Sequence, residues 1–272
     1  MALKDLLVLG GAGTQAAVTY GVWLSGVTGA FLTGAIPVIQ PSFPPGLIAE
    51  LPDDLVSRVR DEAADDATRA AQEFADAARD NAIQTDVIKF DATAGDIGYS
   101  FSRLARCFDA CILPQPDPNG LYTTSIVEAA LFGSGRPLLA VPYIYVGQHI
   151  KTVLIAWDGG VQAARAASDA MPLLKYAEQV QIVTVSKEEK RPHYSGRDLS
   201  RHLARHNIDT TVRTLPDEEI DVASMILSYA ADHGADLIVM GGYGHSRLRE
   251  LILGGTTREI LRSMTVPVLL SH

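Results

Sequence analysis

Asp236-Leu237-Ile238-Val239-Met240 runs directly into Gly241-Gly242-Tyr243-Gly244, and this junction decides the fold. A short, unbroken apolar run bounded by turn residues suits a strand covered on both faces, as in a parallel sheet. Gly241 and Gly244 follow at its carboxyl end, where ligands bind in open α/β sheets. Glycine lets a backbone approach an anion closely and take φ > 0 without a Cβ clash. Further on, Gly254-Gly255-Thr256 stands at the opening of a helix, whose first N–H groups and dipole favour a phosphate. Met240, Gly241, Gly244, Gly254, Gly255 and Thr256 are therefore candidate binding residues, with Thr256 or Thr257 adding a hydroxyl. The same glycines would also serve tight turns and close packing, and spacing alone leaves both readings open.

Working outward, the second half alternates strands and helices. Strands are expected near 151–157, 179–185, 208–214, Asp236–Met240 and Val266–Leu270. Helices are expected near 160–174 and 194–206, then from Pro216-Asp217-Glu218-Glu219 to Asp232, and from Gly255 or Thr256 onward. Gly234 ends the third of these. Five strands in βα alternation predict a parallel sheet with helices on both faces, a doubly wound α/β fold.

The first half repeats this plan. Leu6-Leu7-Val8-Leu9 with Gln15-Ala16-Ala17 matches Val153-Leu154-Ile155-Ala156 with Gln162-Ala163-Ala164 at an offset of 147. Phe108-Asp109-Ala110-Cys111-Ile112-Leu113 resembles Ala235-Asp236-Leu237-Ile238-Val239-Met240, and Arg136-Pro137-Leu138-Leu139-Ala140 resembles Val266-Pro267-Val268-Leu269-Leu270. The expected organisation is a domain over 1–147, with a helical insertion near 47–81, and a second over 148–272. Within the insertion, Leu55, Val59, Ala63, Ala67, Ala70, Phe74 and Ala78 make one apolar stripe on a long helix with an acidic outer face, a covering helix or a partner surface. The predicted fold is thus α/β, with two tandem doubly wound five-stranded parallel sheets. At about 150 residues per domain, 272 residues accommodate both.

Composition narrows the function classes. Apolar residues make up 47% and charged residues 20%, which suits a globular core and excludes disorder and collagen-like structure. The net charge of −9 argues against nucleic acid as a partner. Cys107 and Cys111 are too few for a secreted disulfide framework and read as cytoplasmic thiols. No charged residue occurs from Leu6 to Ala49, a length that could cross a bilayer. Its interspersed glycines, prolines and polar residues instead suit buried strands and a helix, so no membrane association is expected.

Several motifs are incomplete. The pattern G-x-x-x-x-G-K-[ST] is absent. Gly11-Ala12-Gly13-Thr14-Gln15-Ala16 fits G-x-G-x-x-A, but no acid follows near Phe31–Ala35 as a dinucleotide site requires. His202 and His206 share one helix face without the glutamate of H-E-x-x-H, and Arg205 lies beside them. No metal site and no catalytic constellation stand out, so nothing demands an enzyme.

Gly241-x-x-Gly244, nine residues, then Gly254 resembles the G-2x-G-9x-G-(S/T) signature of the universal stress protein family. The resemblance is strong over 151–272 and weaker, carried by the repeat, over 1–147; the whole looks like a tandem member with the family's adenine-nucleotide alpha hydrolase-like fold. It implies an ATP site, with Mg²⁺ accompanying the triphosphate. By position, Ala156, Trp157 and Asp158 would lie at the adenosine part and Val185 beside adenine, with Gly241, Gly244, Gly254, Gly255 and Thr256 around ribose and phosphates. Gly255 departs from the family's Ser/Thr, which weakens or reshapes binding unless Thr256 or Thr257 supplies the hydroxyl. Pro114, Pro116 and Pro118 after the fourth strand of the first half predict a non-binding domain, since proline lacks the N–H of an anion cradle. The implied function is a cytoplasmic, nucleotide-dependent stress-response regulator that signals to a protein partner. Its rivals are an interaction protein without a nucleotide, and an adenine-nucleotide hydrolase. The sequence leaves open whether two chains pair.

Overall fold

A computed structural model describes residues 2–41, 52–144, 147–186, 195–216, 221–244 and 255–272. They divide into two compact units. One is Leu3–Arg136; the other is Pro137–His272 together with the first two residues.

The Leu3–Arg136 unit runs β1 (Asp5–Leu9), α1 (Gln15–Thr28), β2 (Phe31–Ile39), α2 (Asp53–Asp80), β3 (Thr85–Ala92), α3 (Ile97–Ala105), β4 (Ala110–Pro114) and α4 (Thr124–Ser134). Its strands lie in the order β3-β2-β1-β4, all parallel. The charge-free stretch forms β1, α1 and β2, whose Leu6–Leu9, Leu24, Leu32 and Ile36 are core. No described helix is long and apolar enough to cross a membrane. The stripe on α2 is buried at Ala67, Phe74 and Ala78, while Leu55 remains 41% exposed. The physical reason is length. A 28-residue helix spans about 42 Å and the nine-residue strand β2 about 30 Å, so the amino-terminal turns of α2 overshoot the sheet.

The Pro137–His272 unit runs β5 (Leu138–Val141), β6 (Thr152–Ala156), α5 (Val161–Leu174), β7 (Gln179–Ser186), α6 (Gly196–Ala204), β8 (Thr211–Pro216), α7 (Val222–Asp232), β9 (Leu237–Gly241), α8 (Thr256–Ser263) and β10 (Val268–Ser271). Strands β10-β9-β6-β7-β8 are mutually parallel. Strand β5, which the sequence assigns to the first half, pairs antiparallel with β10, Leu139 opposite Leu269. All four of its residues are buried, and it covers the edge that β10 would otherwise expose.

The repeat is visible in the hydrogen bonds. Asp109 Oδ2 accepts the Lys4 and Asp5 N–H groups at 2.7 and 3.1 Å. Asp236 Oδ2 accepts the Lys151 and Thr152 N–H groups, both at 2.9 Å. In each unit the aspartate that starts the fourth strand thereby fixes the entry of the first.

The helix expected from Pro216 begins later. Pro216 ends the edge strand β8, where a missing N–H costs little. Asp221 is the N-cap of α7 and accepts the Ser224 N–H at 3.0 Å. The Ser224 hydroxyl and N–H hold its carboxyl below the usual carboxylate range. Asp221→Ala is expected to cost about 1 kcal/mol at neutral pH. Because the folded pKa is depressed, that stabilisation is present above the unfolded value near 3.9 and is lost as pH falls below it. Thermal melts of the two proteins at pH 7 should differ by about 2–4 °C and converge in acid.

Candidate functional site

Strand β6 is flanked by β7 on one side and β9 on the other, and the connections leave it in opposite directions. That is the topological switch point, where a crevice opens beyond the carboxyl ends of the strands. The residues following β6 and β9 face this crevice.

At the end of β6, Ala156 is buried and Trp157 half-buried; the Trp157 N–H donates to Val183 O at 2.8 Å and ties the turn to β7. Asp158 is exposed. Its Oδ1 accepts the Gly160 N–H at 2.7 Å, while the N-cap of α5 is Gly160 itself. The aspartate therefore shapes the turn and does not cap the helix. A Cβ placed on Gly244 would lie 3.7 Å from Asp158 Oδ2 and 3.5 Å from Gln162 Oε1, so the carboxylate and Gly244 face each other.

One side of the crevice is apolar. Val183 and Val185 point to the same face of β7, two residues apart. Val222 and Ile226, one helical turn apart on α7, complete the wall, and Val222 is left 36% exposed. With Ala156 and Met240 they enclose a cavity of about 240 Å³, also bordered by Trp157, Asp158, Gly241, Gly244, Thr256 and Thr257.

The other side is polar backbone. Gly255 is the buried N-cap of α8 with φ = +24°, a conformation that disfavours any side chain; no side chain caps the helix. Glu259 N–H donates to Gly255 O, so the Thr256 and Thr257 N–H groups precede the helical ladder. Thr257 is buried, and its Oγ1 accepts the Tyr243 N–H at 3.1 Å. Thr256 is half-buried and borders the cavity. The glycine loop is itself pinned: Gly242 N–H donates to Ser271 O at 2.9 Å, and Tyr243 takes φ = +54°. Two loop amides, those of Gly242 and Tyr243, are thus committed to the protein.

Of the residues singled out from sequence, Ala156, Trp157, Asp158, Val185, Met240, Gly241, Gly244 and Thr256 border this one cavity. Gly255 stands beside it as the helix cap, and Gly254 lies outside the described residues. Sequence reasoning missed Ala163, Val183, Val222 and Ile226. The signal for the last two was an apolar i, i+4 pair at the start of a helix, and for Val183 its two-residue spacing from Val185. Gly241 has a packing role as well, since a Cβ there would sit 2.6 Å from the Ala163 backbone nitrogen.

The weaker motifs stay apart from the cavity. His202 and His206 pack edge to face with centroids 5.0 Å apart, and among the described residues no cluster of three or more His, Cys, Asp or Glu could hold a metal. Cys107 and Cys111 form no disulfide, and burial pushes the Cys111 thiol up to about 12.

The family model of the universal stress proteins matches residues 149–272. Universal stress protein Slr1230 of Synechocystis is 30% identical over 141 residues, 49% of this chain and 46% of that protein; the chain thus spans about half the length of this relative. A universal stress protein of Thermus aquaticus is 28% identical over 134 residues, 44% of this chain and 97% of its own length. The fold of the whole chain is similar to that of a crystallised universal stress protein from Archaeoglobus fulgidus, at a TM-score of 0.73 and 18% identity over 98% of this chain and 97% of the other. Residues 149–272, which hold every described residue bordering the cavity, match the universal stress protein family.

Proposed function

We propose that the C-terminal domain, 148–272, binds ATP and that the protein is a cytoplasmic stress-response regulator whose ligand state is read by a protein partner. The observation that carries this reading is the sorting of chemistry around one switch-point cavity. The apolar side, with Val183, Val185, Val222 and Ile226, suits a purine ring. Asp158, an acceptor on the exposed rim, suits ribose hydroxyls. Gly244, Thr256 and the first amides of α8 suit phosphate oxygens. At about 240 Å³ the cavity is smaller than the ~300–1,000 Å³ of most ligand sites. It suits the nucleoside end, with the phosphates running out past Gly244. Mg²⁺ would come with the triphosphate. The segment 1–147 is read as a degenerate copy of the same domain.

Gly255 favours a second reading, an interaction protein of the same fold that takes no nucleotide. A hydrolase has less support: among the described residues bordering the cavity, Asp158 is the only carboxylate and there is no histidine or cysteine.

Calorimetric titration with ATP, together with mass spectrometry of nucleotide released from the purified protein, separates these readings. One ATP per chain is the expected result, and an absence of both heat and released nucleotide would favour the interaction protein. Thr256→Val removes one hydrogen bond to a charged group, worth about 1.5–3 kcal/mol, so ATP affinity should fall roughly ten- to hundredfold.

A further inference from the structure

A second hollow lies in the Pro137–His272 unit, outside the switch-point crevice. Strands β6, β7 and β8 are neighbours in chain order, so right-handed crossovers put α5 and α6 side by side on one face of the sheet. We propose that the groove between these two helices is a binding site for a small aromatic amine. The proposal goes beyond the ATP reading and does not rest on it.

The groove exists because α5 turns small residues toward α6. Ala164, Ala167 and Ser168 stand at i, i+3 and i+4 on one face of α5. From one face of α6 come Asp198, Leu199 and His202. Three short side chains on one helix leave about 470 Å³ unfilled before the other. That lies within the ~300–1,000 Å³ of small-molecule sites and is about twice the volume of the switch-point cavity.

The chemistry of the walls selects the ligand. Leu199 and the two alanines are apolar. Trp157, half-buried ahead of α5, brings the one large aromatic ring among the described residues there. An indole face attracts a cation more strongly than any other side-chain ring. Asp198 brings the one carboxylate, and no lysine or arginine is among the described residues that border the groove. An apolar ring carrying a single positive charge matches that set, and an anion does not. Ser168 and His202, both exposed, offer hydrogen-bonding groups at the rim.

The carboxylate is held in place before any ligand arrives. Asp198 Oδ2 accepts the Ser195 N–H at 3.1 Å and the Ser195 hydroxyl at 2.7 Å. Its Oδ1 pairs with Arg201, whose side chain is 74% exposed. An exposed pair of that kind is weak, and an ammonium desolvated against the indole competes with it. The groove is also distinct from the switch-point cavity. Trp157 is the one described residue that borders both, and Ala163 borders the cavity where Ala164 borders the groove.

The test is calorimetric titration of the full chain with phenethylamine, and with its neutral and anionic counterparts, phenethyl alcohol and hydrocinnamate. One amine per chain is expected, with the alcohol at least about tenfold weaker and the acid unbound. Asp198→Asn keeps an acceptor for Ser195 and removes the charge, so it should lower amine affinity about tenfold and leave that of the alcohol unchanged. Ala164→Leu, at an exposed helix position, should fill the groove and abolish amine binding. Ser168→Leu fills it from the next turn and decides the matter if the first variant does not fold. Gly244→Val, which obstructs the switch-point cavity, should leave amine affinity unchanged, so failure of the ATP reading and failure of this one are told apart. No amine binding to the wild type, equal affinity for all three probes, full amine affinity in a folded leucine variant, or loss of amine binding in Gly244→Val overturns the proposal.

Discussion

Gly244→Val is expected to lower ATP affinity at least about a hundredfold, a loss of roughly 2.7 kcal/mol, while leaving the melting temperature nearly unchanged. Gly244 is exposed, its φ lies outside the left-handed region, and an added Cβ would meet only Gln162 Oε1 at 3.5 Å and Asp158 Oδ2 at 3.7 Å. Those are ordinary contacts, so the fold does not need glycine there. The valine methyls would stand between Asp158 and the start of α8, where the proposed ribose and phosphates would lie. Stability should change by no more than about 0.5 kcal/mol, as at other surface positions. Calorimetry for binding and a thermal melt for folding check the two halves of the expectation. Full ATP affinity in the variant would remove the phosphate path from the proposal.

Its neighbour in the motif behaves differently, which shows why spacing alone could not separate a binding glycine from a packing one. At Gly241 a Cβ would press 2.6 Å from the Ala163 nitrogen and 2.8 Å from the Gln162 backbone and Cβ, so glycine there is what lets α5 close onto β9. At Gly255 the requirement is conformational. Three glycines of one motif thus answer to three physical demands: close packing, open space and backbone angle. Only the angle and the packing leave a mark on the fold itself.

Much of the architecture was legible because buried strands and amphipathic helices write periodicity into the chain. Leu6–Leu9, Val153–Ala156 and Leu237–Met240 are continuous apolar runs, and each is a central strand. The destination of β5 was not legible. Leu138-Leu139-Ala140-Val141 reads as a buried strand in any partnership, and no local residue states that its neighbour is the antiparallel β10. The start of α7 was misread for a related reason: Pro216 followed by acids satisfies the rule for a helix opening, yet the side chain that caps the helix is Asp221. At the cavity, Asp158, Gly241 and Gly244 are named by motif and register, and the structure places these three on its border. The apolar wall of Val222 and Ile226 is not, because a pair of aliphatic residues on a helix looks the same whether it faces a core or a ligand.

The internal repeat leads to the largest expected loss of stability. The Asp236 side chain holds the entry of β6. Its Oδ2 takes two backbone N–H groups at 2.9 Å, and its Oδ1 lies 2.8 Å from His149 Nε2. Hydrogen bonds to a charged group contribute about 1.5–3 kcal/mol each, and the Lys151 amide can turn to water while the part-buried Thr152 amide is less able to. Asp236→Ala is therefore expected to cost about 2–4 kcal/mol, lowering the melting temperature of its unit by roughly 5–15 °C. Asp236→Asn keeps an acceptor oxygen but not the charge, and should recover about half of the loss. Asp109→Ala removes the corresponding pair of bonds at Lys4 and Asp5 and should destabilise the other unit by a similar amount. Hydrogen exchange read separately over β1 and β6 distinguishes the two lesions. Faster exchange confined to β6 in the Asp236 variant, and to β1 in the Asp109 variant, would mean that each aspartate acts on its own sheet. A melt of Asp236→Ala within 1 °C of wild type would show instead that packing of Val153 to Ala156 holds the strand without its anchor.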